Sequence, residues 1–297
     1  MTVSPITSTI TEGQEKQYKR FVEDAAARGA KLALEQVSLD KDGLQRLLAR
    51  GDEFITAIAE VIVAKTRELS ELPYANEEVS SKRTYPKDFR YRSVEEQVEF
   101  WAKVYPDLDA TYVAGLTASP VPDGAESYMV MPKPGKLGAT YNAALEVVLG
   151  LIATSRSFKN WREGELGPDR LRLNEQTRHV LEKLERETPG DFLVIAVQFG
   201  KRHLGQSVRR ARVCFAGNEF GLGPYEVICM MLMHPERISG TEEEFYVFIA
   251  GAEYAPDADG DFSCSLSVYW RGRQLRLAYC DADDANPRCG SSSAFAS

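Results

Sequence analysis

Histidine is scarce in this 297-residue chain, which has only His179, His203 and His234. Neither HExxH nor GxSxG occurs, so the zinc-helix and nucleophile-elbow routes to hydrolysis are unsupported. The five cysteines, Cys214, Cys229, Cys264, Cys280 and Cys289, show no CxxC or CxxxxC spacing. That spacing excludes a compact sulfur zinc site, and the odd count argues against a complete disulfide framework. They read as buried free thiols. Long hydrophobic runs are also missing. The best apolar stretch, 138–154, is interrupted by Asn142, Glu146 and Gly150 and is too short to span a bilayer. Residues 1–11 have no basic or apolar signal-peptide region. These absences point to a soluble, cytoplasmic protein with no membrane partner. No internal repeat is visible.

What is present is ordinary for a globular protein. Hydrophobic residues make up 43% and charged residues 27%, and 36 Lys+Arg stand against 44 Asp+Glu for a net charge of -8. The length suits one or two domains, with about three quarters of the unfolded surface buried. An acidic balance disfavours a uniformly basic surface but permits one basic patch.

Along the chain, helical patterning comes early and strand patterning late, which predicts an α+β fold. Tyr18, Phe21, Val22 and Ala25 fall at helical spacing, with Gly29 as the expected stop. A second stripe over 44–69 has its break at Gly51. Together they predict a helical hairpin, 1–72, whose apolar face needs a partner, either the rest of the chain or a second copy. Residues 73–125 read as a connector carrying a short helix capped by Ser93, with Glu96 completing a capping box. Residues 126–297 read as a mixed α+β domain with a small, mostly antiparallel C-terminal sheet. Its expected elements are helices at 138–155, 173–187 and 224–234, and strands at 126–131, 191–197, 245–249, 265–270 and 274–279. The last two strands form a hairpin across Arg271-Gly272-Arg273.

The most distinctive stretch is 198–212, QFGKRHLGQSVRRAR. It gathers Lys201, Arg202, His203, Arg209, Arg210 and Arg212, and no acid occurs between Asp191 and Glu219. A strand, a glycine-punctuated loop and a helix capped by Ser207 would place free backbone N–H groups beside these cations. Cations in a first helical turn oppose the dipole, so a negative group should offset them. That group could be a phosphate, nucleic acid or a carboxylate of the same chain. The acid-rich segment 236–261 is the expected internal partner. The spacing is neither a Walker A loop nor a dinucleotide fingerprint. His203, in electropositive surroundings, is the one candidate acid/base, expected to be neutral at pH 7. Asp257, Asp259 and Asp261 alternate as in a calcium loop, but lack the glycine and the closing glutamate of an EF-hand. A tight turn between strands is the competing reading. No cofactor is expected.

The segments WREGELGPDRLR (161–172), QFGKRHLGQSVRRAR, NEFGLGPYEV (218–227), HPERI (234–238), DADGDFS (257–263) and CGSSSAF (289–295) resemble a family of hypothetical proteins from uncultivated candidate-phyla bacteria. The similarity runs from about residue 70 to the end. It implies a bacterial, non-secreted protein and transfers no activity, cofactor or site residue. Two functions follow from the residues themselves. One is a non-catalytic interaction or assembly protein, able to oligomerise through its N-terminal helices, whose loop 198–212 contacts nucleic acid or a phosphate-bearing ligand. The other is an enzyme on an anionic substrate, with His203 as acid/base and Arg202, Arg209 and Arg210 holding the anion.

Overall fold

The structure is a computed structural model that describes residues 11–70, 73–114, 120–242, 244–257 and 259–296. The Ser/Thr-rich opening, part of the expected 117–125 loop, Glu243 of the acidic segment and Ala258 of the aspartate turn lie outside the described residues. The chain is α+β and divides into two compact units, 1–71 and 72–297.

The N-terminal unit holds α1 (Glu12–Gln36), α2 (Lys41–Ala49) and α3 (Gly51–Ser70). Thr11 and Gln14 form a capping box at the start of α1, and the Asp40 side chain accepts from Gly43 N–H to start α2. The helix continues through Gly29 to Gln36, which corrects the expected stop. The following AKLALEQ is a run of strong helix formers that outweighs the cost of one interior glycine, about 1 kcal/mol. Tyr18 and Thr66 hydroxyls meet at 2.6 Å, so the start of α1 lies against the end of α3. Of the side chains described in this unit, none is buried.

The second unit carries the core. Its helices are α4 (Val94–Val104), α5 (Thr111–Ala114), α6 (Pro134–Leu137), α7 (Tyr141–Ser155), α8 (Glu175–Glu187), α9 (Val208–Cys214) and α10 (Pro224–Met233). A four-stranded antiparallel sheet has the order β1 (Ser127–Pro132), β4 (Phe192–Gln198), β10 (Ser293–Phe295), β5 (Glu219–Gly221). A second sheet runs β2 (Phe158–Asn160), β8 (Leu275–Asp281), β7 (Cys264–Trp270), β6 (Tyr246–Tyr254), β3 (Leu171–Leu173). There β9 (Cys289–Ser291) pairs parallel with β6, β2 pairs parallel with β8, and the remaining pairs are antiparallel. Every residue of α10 is buried, as an all-round apolar helix begun by Pro224 requires.

Residues 289–295 stitch the two sheets together. β9 lies beside β6 in one sheet, and after the single residue Ser292, β10 lies between β4 and β5 in the other. Gly221 and Gly251 meet backbone to backbone at the same junction, and Gly251 N–H donates to Leu222 O at 2.8 Å. A side chain at either glycine would push the sheets apart.

Helix side chains close the edges of the four-stranded sheet. On the β1 side, Gln97 of α4 donates to Tyr128 O (2.9 Å) and accepts from Val130 N–H (2.8 Å), while Trp101 Nε1 donates to Val130 O (2.8 Å). On the β5 side, Gln176 and Thr177 of α8 donate to Glu219 O and Gly221 O. Edge groups satisfied in this way offer no template to another strand. Residues 73–92, read as a connector, pack on this unit. Tyr85, Phe89 and Tyr91 contact one another and reach Phe199 or Phe245.

One buried acid makes this core pH-sensitive. Glu226 of α10 is fully buried, accepts from Tyr141 Oη at 2.7 Å through Oε2 and has no partner for Oε1. Burial pushes its carboxyl up to about 7, against the lowering effect of Tyr141. The protonated form is therefore the one that folding favours. Its stabilisation is complete below the unfolded carboxyl range and fades as pH rises through about 7, by on the order of 3 kcal/mol. Urea midpoints of the native protein should drop between pH 5 and pH 8. Glu226→Gln should flatten that drop, and an equal drop in the variant would refute this origin.

Candidate functional site

The loop after β4 turns on two glycines with positive φ, Gly200 at 107° and Gly205 at 87°. Only glycine fits here, because Gly200 abuts the backbone of Gly290, and Gly205 that of Val79. Ser207 then caps α9, accepting from Arg210 N–H at 3.0 Å, as its position in the sequence predicts.

The carboxylates that meet this helix end come from the same chain. Glu77 accepts from Ser207 Oγ at 2.7 Å and from Arg209 Nε at 2.8 and 2.7 Å, and also pairs with Arg209 Nη2. Arg209 in turn holds the Glu77 carboxyl below its ordinary range. Asp283 lies 3.7 Å from the same guanidinium, and Tyr74 stacks on it at 4.4 Å. Arg210 pairs with Glu78 at 3.5 Å and donates to Pro73 O. Arg212 donates to Ala250 O (2.8 Å) and Ala252 O (2.7 Å), with Glu253 at 3.8 Å. Lys201 is exposed, with its ammonium 5.6 Å from the centre of the Tyr85 ring.

Arg202 and His203 converge on Glu219 at the start of β5. Arg202 Nε lies 3.2 Å from Oε2, and His203 Nε2 lies 2.8 Å from Oε1. His203 Nδ1 faces Gln206 Oε1 at 3.0 Å, and that amide is oriented by its bond to Glu78 at 3.1 Å. Ser293 also donates to Glu219, and Gln198 donates to Ser293 Oγ at 2.9 Å. Burial would raise the Glu219 carboxyl, but His203, Ser293 and Ala216 N–H together hold it below the ordinary range.

Ser293, Glu219 and His203 are three residues of a hydrolytic triad in the wrong order. The carboxylate stands between serine and imidazole, so the imidazole cannot take the serine proton. Both His203 nitrogens face oxygen atoms inside the protein, and the ring is 3% exposed. No ring nitrogen is left to accept a proton from a substrate. The expectation of a catalytic His203 in a purely basic setting missed Glu219, sixteen residues further on. Among the described residues, the expected pairing with 236–261 is seen between Arg212 and Glu253. The acids that answer the loop are mainly Glu77, Glu78 and Glu219.

Beside this network lies Arg237, a buried cation that sequence reasoning passed over. Its guanidinium donates to Phe199 O (3.2 and 2.8 Å) and Phe245 O (2.8 Å), between the Tyr85 and Phe245 rings at 4.9 and 4.1 Å. The only sequence hint was an arginine placed just after the apolar helix that ends at Met233. Asp257, Asp259 and Asp261 lie in the turn between β6 and β7. A hydrogen bond to Asp259 raises the Asp257 carboxyl. Among the described residues, no group of three His, Cys, Asp or Glu side chains is arranged to hold a metal. The five cysteines are free thiols.

Comparison with known proteins gives no matching family model, no matching curated protein and no matching solved structure.

Removing the carboxylate at the centre of this network leaves His203 and Ser293 buried without their acceptor. Glu219→Ala should cost about 3–5 kcal/mol in urea unfolding. A loss below about 1 kcal/mol would show that the network is not a structural keystone.

Proposed function

We propose that the protein is a non-catalytic interaction and assembly protein whose N-terminal helices associate with a second copy of the chain. The observation that carries this reading is the uncovered apolar surface of 11–70. Phe21 and Leu34 are each 68% exposed, and Ile55 and Val61 are 66% and 61% exposed. A helical unit with no buried residue among its described side chains gains little to offset its chain entropy and needs further apolar burial. Basic and acidic residues nearly balance over 1–71, and several pair within their own helices, such as Glu12 with Lys16 and Glu15 with Lys19. Such a unit has no excess positive charge for lipid headgroups or phosphates. Its apolar stripe suits an isologous contact with the same stripe on a second copy.

The loop 198–212 supports this reading less well than the sequence suggested. Its arginines are bonded to carboxylates and carbonyls of the chain itself, and among the described residues Lys201 is the loop cation exposed without a carboxylate or carbonyl partner. The alternative of an enzyme built on His203 gains nothing from a ring whose two nitrogens are both engaged.

Light scattering after size exclusion should give a dimer or higher oligomer. The double variant Ile55→Glu and Val61→Glu should give a monomer with an unchanged near-ultraviolet circular dichroism spectrum. A native chain that stays monomeric at high concentration defeats the reading.

A further inference from the structure

The six-stranded sheet has one face turned to the core and another only partly covered. Leu266, Val268, Leu275 and Leu277 point inward. On the opposite face, α9 and its Val208 cover the stretch of β6 around Phe248 and Ala250. Beyond that cover, a row of side chains crosses four adjacent strands. Lys159 of β2 is in register with Arg276 of β8, and Arg276 is in register with Tyr269 of β7. The Tyr269 ring lies 5.9 Å from that of Tyr246 on β6. Trp161, 46% exposed, sits beside the row, with Lys159 Nζ and Arg276 Cζ at 5.5 and 5.7 Å from its ring centre.

Further positive charge lies beside the row. The β7–β8 turn carries exposed Arg271 and Arg273, and the Arg276 guanidinium lies near this turn at Gly272. At the β6 end, Arg83 and Arg288 are close enough to Tyr246 to act on its phenol. Among the described residues, none of these six cations has a carboxylate within 4.0 Å. Arg276 Nε is buried without an acceptor. Glu244 also acts on the Tyr246 phenol, and its carboxylate accepts from Ser239 and Gly240 N–H. Glu253 is held by Arg172 and Arg212, Asp283 faces Arg209, and Asp284 acts on Cys280 and Cys289.

Unpaired cations beside the exposed Trp161 ring and the half-buried Tyr269 and Tyr246 rings match the chemistry of single-stranded nucleic acid, with phosphates for the cations and base faces for the rings. A simple phosphate would not need the aromatic row, and an apolar partner would not need the cations. Three strand spacings make the row about 14 Å long, a platform on which two or three bases can stack. We propose that this face, centred on Lys159, Trp161, Tyr269 and Arg276, binds single-stranded nucleic acid with little sequence preference. The proposal does not depend on self-association of the N-terminal helices, and oligomeric state tests that separately.

The test is fluorescence anisotropy with labelled single-stranded RNA and DNA oligonucleotides, and a duplex of equal length, at about 50 mM salt and upward. Single strands should bind, more weakly as salt rises, and more tightly than the duplex. Trp161→Ala, and the double variant Arg271→Ala with Arg273→Ala in the exposed turn, should each weaken binding roughly tenfold, with Arg276→Ala as a third. Lys201→Ala in the loop 198–212 should bind like the native protein. Intrinsic fluorescence should be quenched on binding, and the quench should vanish in Trp161→Phe. The proposal is overturned by absence of binding at low salt, by equal affinity for the duplex, or by variants of this face that bind as well as the native chain while Lys201→Ala does not.

Discussion

The second unit is organised around a buried positive charge. Arg237 is fully buried, and among the described residues it has no carboxylate within 4.0 Å. Its charge is answered by two carbonyl oxygens and two aromatic faces. Burial lowers its pKa, as desolvation of a cation must. The arrangement therefore holds only if each donor stays bonded and each ring stays in place. Those partners belong to different parts of the fold. Phe199 follows the last residue of β4 in one sheet, Phe245 precedes β6 in the other, and Tyr85 belongs to the segment 73–92.

That requirement explains why 73–92 is packed and not loose. Tyr85 covers Arg237 and donates to Glu126 at 2.6 Å, and the same Glu126 oxygen accepts from Phe199 N–H at 2.8 Å. A few residues earlier, Glu77 and Glu78 reach Ser207, Arg209 and Arg210. The segment thus neutralises the start of α9 and closes the aromatic shell over the buried arginine. Loss of either set of contacts would loosen the other, because both are anchored in one short stretch of chain.

Local chemistry was readable in the sequence wherever a signal and its partner lie within a few residues. The Ser93–Glu96 capping box, the Ser207 cap, the buried α10 between Gly223 and Pro235 and the β7–β8 hairpin are of this kind. The longer strands β1, β4, β7 and β8 were legible from their apolar content. The strands β2, β3, β5, β9 and β10, of three residues each, were not. So short a strand has no period of its own and exists because a longer neighbour pairs with it. Partners distant in sequence were equally hidden. Glu77 lies 132 residues from Arg209, and nothing in QFGKRHLGQSVRRAR specifies which acid will meet it. The segment 73–92 misled for a related reason. Its polar residues and prolines are those of a linker, while Tyr85, Phe89 and Tyr91 stand four and then two residues apart, sustain no single period and reveal their role only when folded.

The same limit applies to reading an anion site from the density of charge along the chain. Five cations within 201–212 drew attention because they are close in sequence, yet four of them are arginines folded against oxygens of the chain. Lys159, Arg276, Arg288 and Arg83 are scattered over more than two hundred residues and form no motif. Strand pairing brings Lys159 and Arg276 into register, and folding brings Arg83 and Arg288 near Tyr246, all without a carboxylate partner. A cation already paired has little attraction left for a ligand, whereas an unpaired one beside an aromatic ring keeps most of it. In a chain with net charge -8, the measure of an anion site is therefore the number of cations left unpaired on one face, not the number adjacent in sequence.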